Sequence, residues 1–149
     1  MRILISFTYI LFVSNIYSQS RVVTGRVVSE DLESIPHVQI LYNDTVIAGY
    51  SDMDGYYKVE IADTIKGLTF DFVGMESTPI VFSDKCEHIE VIMKYFVLYD
   101  FISLKKADRL RYKRYKKLNE VYAEAFNKGI FVTDKPCYEQ VFEKHYSKD

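Results

Sequence analysis

The sequence predicts a mainly β fold, a seven-stranded and mostly antiparallel β-sandwich followed by a long amphipathic α-helix and a short helical tail. Two observations carry this prediction. Short segments rich in β-branched and aromatic residues recur from position 21 to position 93, with turn residues about every 8–12 positions, a spacing typical of a sandwich. After Tyr95 the apolar spacing changes to the helical period.

The predicted strands follow from alternation of apolar and polar residues and from the turns between them. The first strand contains Gly25, which we expect to mark a bend or bulge, and Pro36 precedes the second strand, where its missing donor is tolerated. Gly74 is expected to end the strand 68–73 and to allow a bend before the next strand. The seven segments are 21–29, 37–42, 46–51, 56–61, 68–73, 78–82 and 89–93.

The helix is predicted from Ser103, which suits an N-cap, to Lys128, with Gly129 as the C-terminal cap. Its apolar face should contain Leu104, Ala107, Tyr115, Leu118, Tyr122, Ala125 and Phe126, of which we expect Leu118, Tyr122 and Phe126 to be buried against the sandwich. Arg111 falls unexpectedly on the same face. The opposite face is basic, with Lys105, Lys106, Arg109, Lys113, Lys116 and Lys117.

The final stretch, 130–149, has aromatic residues every fourth position. Tyr138, Phe142 and Tyr146 would share one face of a short second helix. This spacing completes the prediction of a helical extension after the strands.

The N-terminus predicts export. Arg2, the apolar run from Ile3 to Val13 and the small Ser18 fit a signal peptide that is cut between Ser18 and Gln19. The alternative is a buried N-terminal helix or strand. We therefore divide the chain into a signal peptide (1–18), a β-sandwich (19–94) and a helical extension (95–149). No later apolar run reaches the roughly 20 residues of a membrane span, so the mature chain is expected in the periplasm, at the outer-membrane periphery or outside the cell.

Cys86 and Cys137 are the two cysteines. Export permits a disulfide between them, which would pin the tail to the domain and contribute about 4 kcal/mol in the chain-entropy model. Spacing alone cannot show that they meet, so two separate thiols are the alternative.

Four segments in order resemble a known family: Thr24–Val28, Ile35–Ile40, Gly49–Tyr57 and Phe70–Met75. Together they resemble the carboxypeptidase regulatory-like domain, a transthyretin-like or prealbumin-like β-sandwich common in exported Bacteroidetes proteins. The resemblance covers about half of the chain, from Val22 to Lys94. It implies a sandwich with an accessory role, and it implies no activity. His37 stands where the family has a small glycine, and Met75 stands where an aromatic residue is common.

Catalytic and cofactor motifs are missing from the sequence, so we expect no enzyme activity and no cofactor. Asp52 and Asp54 precede Gly55 as in the opening of a calcium loop, but Asp63 stands at the twelfth position, where an EF-hand needs Glu, and a hairpin turn is favoured. The histidines, His37, His88 and His145, are far apart. We assign structural roles to Gly25, Pro36, Asp52, Asp54, Gly55 and Gly74.

Charge is unevenly distributed along the chain. Residues 21–94 contain 13 acids and 6 bases, whereas residues 95–149 contain 8 acids and 12 bases. The basic helix face has three interpretations: a solvated surface, a surface that docks on the acidic sandwich, or one that attracts an anionic surface or partner. Export argues against nucleic acid as the partner.

We therefore expect an exported, non-enzymatic binding or structural-accessory module that acts in the cell envelope through protein or surface contacts. A small secreted ligand-binding protein or enzyme is the alternative.

Overall fold

A computed structural model of the chain describes residues 19–83 and 86–146, so the predicted signal peptide (1–18) lies outside the described residues. Eight strands and two helices follow in order: β1 (Ser20–Ser29), β2 (Gln39–Tyr42), β3 (Val46–Tyr50), β4 (Tyr56–Ala62), β5 (Gly67–Asp71), β6 (Thr78–Phe82), β7 (His88–Met93), α1 (Leu104–Lys116), α2 (Leu118–Asn127) and β8 (Tyr138–Gln140). The fold is mainly β with a C-terminal helical segment, as the sequence predicts, but the described strands number eight.

The strands form two sheets. Three strands in the order β4-β1-β7 form sheet A, and five in the order β3-β2-β5-β6-β8 form sheet B. The β1–β7 pair is parallel, and the other strand pairs described are antiparallel. We call strands β1–β7 the two-sheet body.

One apolar cluster combines side chains of both sheets. Sheet A contributes Val27 and Val91, and sheet B contributes Ile40, Phe70 and Ile80, all of them fully or almost fully buried. Successive side chains of a strand point to opposite sides of its sheet, and these residues all point to the side that carries the shared cluster. Burial of this cluster is the main stabilising term for the two-sheet body.

The prediction of a short helical tail is wrong. Tyr138–Gln140 forms strand β8, which pairs antiparallel with β6, and residues 141–146 contain no helix. A helix this short has little stability by itself, whereas the open edge of β6 offers hydrogen-bond partners to the backbone of the tail. The aromatic spacing has a different cause, since Tyr138 enters the apolar cluster while Phe142 packs edge-on against Tyr112 of α1.

Gly25 marks no bend or bulge. The register of β1 with β4 is continuous through Thr24, Gly25 and Arg26. A Cβ atom at Gly25 would lie 1.7 Å from the carbonyl oxygen of Ile89, which accepts a hydrogen bond of 2.7 Å from the Tyr57 hydroxyl. Glycine is therefore required for space between strands.

Pro36 and His37 form a turn just before β2. His37 has φ +57°, the conformation that glycine adopts most readily at this position of a turn after proline. The Ser51 hydroxyl bridges this turn, because it accepts from the Val38 amide (2.9 Å) and donates to the Ile35 carbonyl (2.8 Å). Two separate segments of the family-like sequence therefore meet at one buried hydroxyl.

The turn after β3 is built around Asp52. Its Oδ1 accepts from the amides of Asp54 (2.9 Å) and Tyr56 (2.8 Å), so this carboxylate stabilises the turn. Gly55 has φ +81°, and its carbonyl accepts from the Val27 amide at 2.8 Å. Gly74, with φ +84°, lies in the β5–β6 connection.

Gly55→Val is expected to destabilise the protein by about 3 kcal/mol, because it combines backbone strain with a collision. A Cβ atom at Gly55 would lie 2.4 Å from the Val27 carbonyl oxygen, whereas nothing lies within 4 Å of one at Gly74. Gly74→Val therefore supplies the control, with a loss of about 1 kcal/mol from the backbone alone. Urea unfolding of both variants tests this, and equal losses would contradict the close packing at Gly55.

Candidate interaction site

The helical segment runs from 104 to 127 and is interrupted by a turn at Lys117. The Ser103 hydroxyl accepts from the Lys106 amide, and Gly129 follows the segment with φ +68°. Both predicted caps are therefore present.

Helix α2 packs on the outer face of sheet A. A second apolar cluster contains Val28, Ile92, Leu118, Tyr122, Ala125 and Phe131. Leu118 and Tyr122 are buried as predicted, but the prediction for Phe126 is wrong, because its side chain is 40% exposed. Phe131, from the loop after the helix, occupies the space beside Tyr122, with ring centroids 4.9 Å apart.

The unexpected arginine of the apolar face, Arg111, lies in a buried group of charged side chains. Its guanidinium is 3.4 Å from Glu76 Oε2 and 3.0 Å from Asp108 Oδ1, and it also donates to the Glu143 carbonyl at 3.0 Å. Lys94, at the end of β7, donates to the same Glu76 oxygen at 2.6 Å. The Glu76 side chain is only 6% exposed, so its charge is compensated by these cations rather than by water.

Arg114 extends this group toward the β1–β2 connection. It pairs with Glu30, donates to the Tyr95 carbonyl at 3.0 Å and lies 3.5 Å from Glu76 Oε1. We call these six residues the ion cluster: Glu30, Glu76, Lys94, Asp108, Arg111 and Arg114. Three carboxylates and three cations give it no net charge, which is the condition for burying ionised groups.

Burial lowers the pKa of Lys94, although its bond to Glu76 acts in the opposite direction. The pKa of Asp108 shows how the tail joins the ion cluster. Burial raises it, but the amides of Tyr146 (2.8 Å) and His145 (3.2 Å) and the Arg111 guanidinium outweigh burial, so the pKa lies below its usual value.

Two further connections fasten the tail. Cys86 and Cys137 form a disulfide with a Cα–Cα distance of 5.8 Å, which joins the start of β7 to the start of β8. The buried carboxylate of Glu90 accepts from the amides of Val132 (2.8 Å) and Thr133 (3.1 Å) and from the Thr133 hydroxyl (2.8 Å). The loop between α2 and β8 is therefore fixed to sheet A.

Tyr122 contacts this loop from helix α2. Its hydroxyl lies 2.7 Å from the Thr133 hydroxyl. Burial, with the nearby Glu90 charge, raises the pKa of Tyr122 to about 12. The phenol therefore stays neutral at physiological pH.

The basic face is exposed at every predicted position. Its members are Lys105, Lys106, Arg109, Lys113, Lys116 and Lys117, and within the described chain none of them forms an ion pair. The single acid of α1, Asp108, is turned into the ion cluster. The face is therefore positive and lacks compensation from its own helix.

A groove of about 560 Å³ opens beside this face, between α1 and the tail. Lys105 and Arg109 belong to the basic face and also line the groove, and Lys144 adds a third cation to the groove from the tail. Asp108 and the aromatic rings of Tyr112, Phe142 and Tyr146 complete the lining. Sequence analysis missed this groove because Lys144 is brought to α1 only by the fold of the tail.

The connection between β7 and α1 is apolar and exposed. Among its residues, Phe96, Val97, Leu98, Phe101 and Leu104 are exposed large hydrophobic side chains. We call residues 96–104 the apolar connector. The sequence signal was a run of hydrophobic residues with no strand or helix period, and Lys105 and Lys106 follow it directly.

Thr24, His88 and Glu90 align on the outer face of sheet A. His88 Nδ1 lies 3.3 Å from the Thr24 hydroxyl, and its Nε2 lies 3.4 Å from Glu90 Oε1. A hydroxyl, an imidazole and a carboxylate in this order suit nucleophilic catalysis. The Glu90 carboxylate also accepts from the 132–133 loop, so it has a structural bond in addition to its contact with His88.

The histidines and the candidate metal ligands are not brought together. His37 is in the turn before β2 and His145 is beside α1. Residues 19–83 and 86–146 contain no group of three or more His, Cys, Asp or Glu side chains that could hold a metal ion. Asp54 is exposed, and Asp52 bonds its own turn.

A further cavity of about 360 Å³ lies between the helices and β8. Three tyrosines line it, and each hydroxyl is bonded to the protein: Tyr115 to the Gln140 carbonyl, Tyr122 to Thr133 and Tyr138 to the Glu90 carbonyl. These hydroxyls are therefore engaged before any ligand arrives.

No protein-family model matches the chain, and no curated protein matches its sequence. Neither helix of the described residues has the length and apolar character needed to cross a membrane.

Glu76→Gln is expected to destabilise the protein by about 3–5 kcal/mol, because it leaves buried cations without their shared carboxylate. Glu124→Gln is the matched control, since Glu124 forms an exposed i,i+4 pair with Lys128 at 2.6 Å, and its loss should be below about 0.5 kcal/mol. Urea unfolding with the disulfide intact measures both. Similar small losses would mean that Glu76 does not hold the ion cluster together.

Asp108→Asn is expected to lower stability in a pH-dependent way. Because the folded-state pKa of Asp108 is below its ordinary value of 3.8, its contribution to stability is present above pH 3.8 and is lost as pH falls through the folded-state pKa. The difference in free energy of unfolding between wild type and variant should be largest at pH 7 and should disappear toward pH 2. Urea midpoints across this range test it, and a gap independent of pH would refute the charge-based role.

Proposed function

We propose that this protein is an exported, non-enzymatic binding module of the carboxypeptidase regulatory-like type, which presents a basic helix face in the cell envelope. One observation carries the proposal. The inner side of α1 is fastened by the ion cluster, while all six cations of the outer side are exposed without acidic partners among the described residues. Such a positive surface attracts an anionic partner, which favours partner binding over the binding of a substrate in a pocket.

The turn before β2 supports the family assignment. The family has glycine after proline, and His37 takes the left-handed conformation that glycine would take. Histidine is among the residues that tolerate this region, so the departure in sequence is compatible with the same backbone. The Ser51 bridge gives a physical reason why the two family-like segments occur together.

The disulfide supports export. A bond between Cys86 and Cys137 persists in oxidising compartments and is rare in the cytosol. It also adds an attachment between the tail and β7 to those that the ion cluster and Glu90 provide.

A small secreted ligand-binding protein is the second candidate, and the 360 Å³ cavity between the helices and β8 is the observation in its favour. Its three tyrosine hydroxyls are already bonded within the protein, which leaves Lys116, Asn119, Glu139 and Gln140 as the polar side chains of its lining. The basic face offers six side chains that are free to pair, and we favour it for that reason.

The proposal predicts that the exported protein begins at Gln19 and is retained in the envelope fraction through the basic face. Charge reversal at Lys106, Lys113 and Lys117 to Glu should release most of the protein from that fraction, because attraction becomes repulsion. Mass spectrometry and fractionation of an expressing host measure both. An intact Met1 on exported protein would contradict the export.

Lys58→Glu with Lys66→Glu is the matched control for this fractionation, since both lysines are exposed on the two-sheet body. These variants should remain in the envelope fraction. Equal retention of both sets of variants would show that the basic face does not mediate envelope binding.

A further inference from the structure

We propose that the basic face and the apolar connector together form a docking surface for an anionic phospholipid bilayer. The inference rests on the proposed function and deepens it, because it names the chemistry of the partner. The apolar connector inserts among the lipid headgroups and the cations of α1 bind lipid phosphates.

The connector has the side chains that insertion needs. Phe101 is fully exposed with φ +61°, and Leu98 is 73% exposed. Phe96 and Leu104 are also more than half exposed, so four large apolar side chains face solvent within nine residues. An exposed apolar group of this kind marks an interaction site.

The lysines beside the protruding side chains favour a bilayer over a protein partner. The core of a protein interface is depleted of charged residues, and lysine is depleted at interfaces relative to the rest of the surface. Here Phe101 and Leu98 project from an irregular segment, and Lys105 and Lys106 follow at once. Apolar side chains flanked by cations are typical of segments that lie in the membrane interface.

The cations lie where an inserted connector would bring them to the headgroups. Helix α1 has 13 residues and is therefore about 20 Å long, with exposed cations from Lys105 near its start to Lys116 at its end. Their long side chains reach the phosphates while the helix stays at the surface. The groove beside Lys105, Arg109 and Lys144 also contains Asp108, whose carboxylate is already bonded to Arg111 and to two tail amides, and it has room for one phosphate headgroup.

The charge of the rest of the chain favours one orientation. Residues 21–94 contain 13 acids and 6 bases, whereas residues 95–149 contain 8 acids and 12 bases, so an anionic bilayer repels the two-sheet body while it attracts the helical segment. The ion cluster holds α1 in place before contact, and the Phe96 amide, which donates to the Gly74 carbonyl at 2.9 Å, holds the start of the connector. Little conformational freedom is therefore lost on docking, which strengthens the binding.

The test is co-sedimentation of the exported protein, with its disulfide intact, with vesicles of phosphatidylglycerol and phosphatidylcholine or of phosphatidylcholine alone. We expect binding to the anionic vesicles that weakens with salt, and none to the neutral ones. Leu98→Ser with Phe101→Ser, and separately Lys105→Glu with Lys106→Glu, should each reduce binding at least tenfold. Ile47→Ser and Lys58→Glu change exposed residues of β3 and β4, at the sheet edges opposite β8 and β7, and should leave binding within twofold.

Insertion is measured separately by fluorescence, because the chain contains no tryptophan. Phe101→Trp should shift its emission to the blue with anionic vesicles and not with neutral ones. Ile47→Trp, at a position 48% exposed on β3, should not shift with either. An unchanged emission of the Phe101→Trp protein in the presence of anionic vesicles would overturn the proposal.

Competition identifies the partner class. Inorganic phosphate at millimolar concentration should not displace the protein from vesicles, because it cannot replace the apolar contact. Polyglutamate that binds as tightly as anionic vesicles, and equally well to the Leu98→Ser/Phe101→Ser protein, would overturn the bilayer in favour of an acidic polypeptide. Envelope retention through the basic face would survive that result, so the proposed function and this inference fail separately.

Discussion

The Glu76 carboxylate is the point on which the position of the C-terminal segment depends. It lies between the two-sheet body and helix α1 and is shared by Lys94, the residue after β7, and by Arg111 and Arg114 from α1. A buried carboxylate is tolerated only with cations in contact, and buried cations are tolerated only with a carboxylate. The four side chains therefore fix each other and fix α1. One consequence is that the charged side chains on the inner side of α1 are all paired in the ion cluster. The outer side keeps its positive charge without an acidic partner from its own helix.

The remaining connections act on the same segment from other sides. The disulfide joins β8 to β7, Glu90 holds the loop after α2, and Asp108 holds the last described amides. Each connection pairs a residue of the two-sheet body or of α1 with a residue of the tail, so the tail has several independent attachments. A segment without a large core of its own is thereby ordered. The rigidity bears on function, because a fixed cationic surface loses little freedom when it binds an anionic partner.

The sequence predicted the strands and the main helix because their residues follow one local period, as with Tyr57, Val59 and Ile61 in β4. It also marked Arg111 as unusual, which was the one signal of the ion cluster, but Glu76 and Lys94 could not be assigned to it because they are distant in sequence. The prediction of a helical tail was wrong for a related reason. The spacing of Tyr138, Phe142 and Tyr146 has the period of a helix, yet each residue has a separate tertiary environment, and the open edge of β6 decided the outcome. Tertiary contacts of this kind override weak local preference.

The central claim is that α1 is an integral part of the fold. Native-state hydrogen exchange tests it most directly, because exchange of each amide reports the free energy of the opening that exposes it. The account predicts that the amides of α1 near Arg111 and Arg114 exchange only through openings close in free energy to global unfolding, like those of β1 and β7. Exchange of α1 through openings several kcal/mol below the global value, with the two sheets still protected, would contradict the account and make the helix an independent arm.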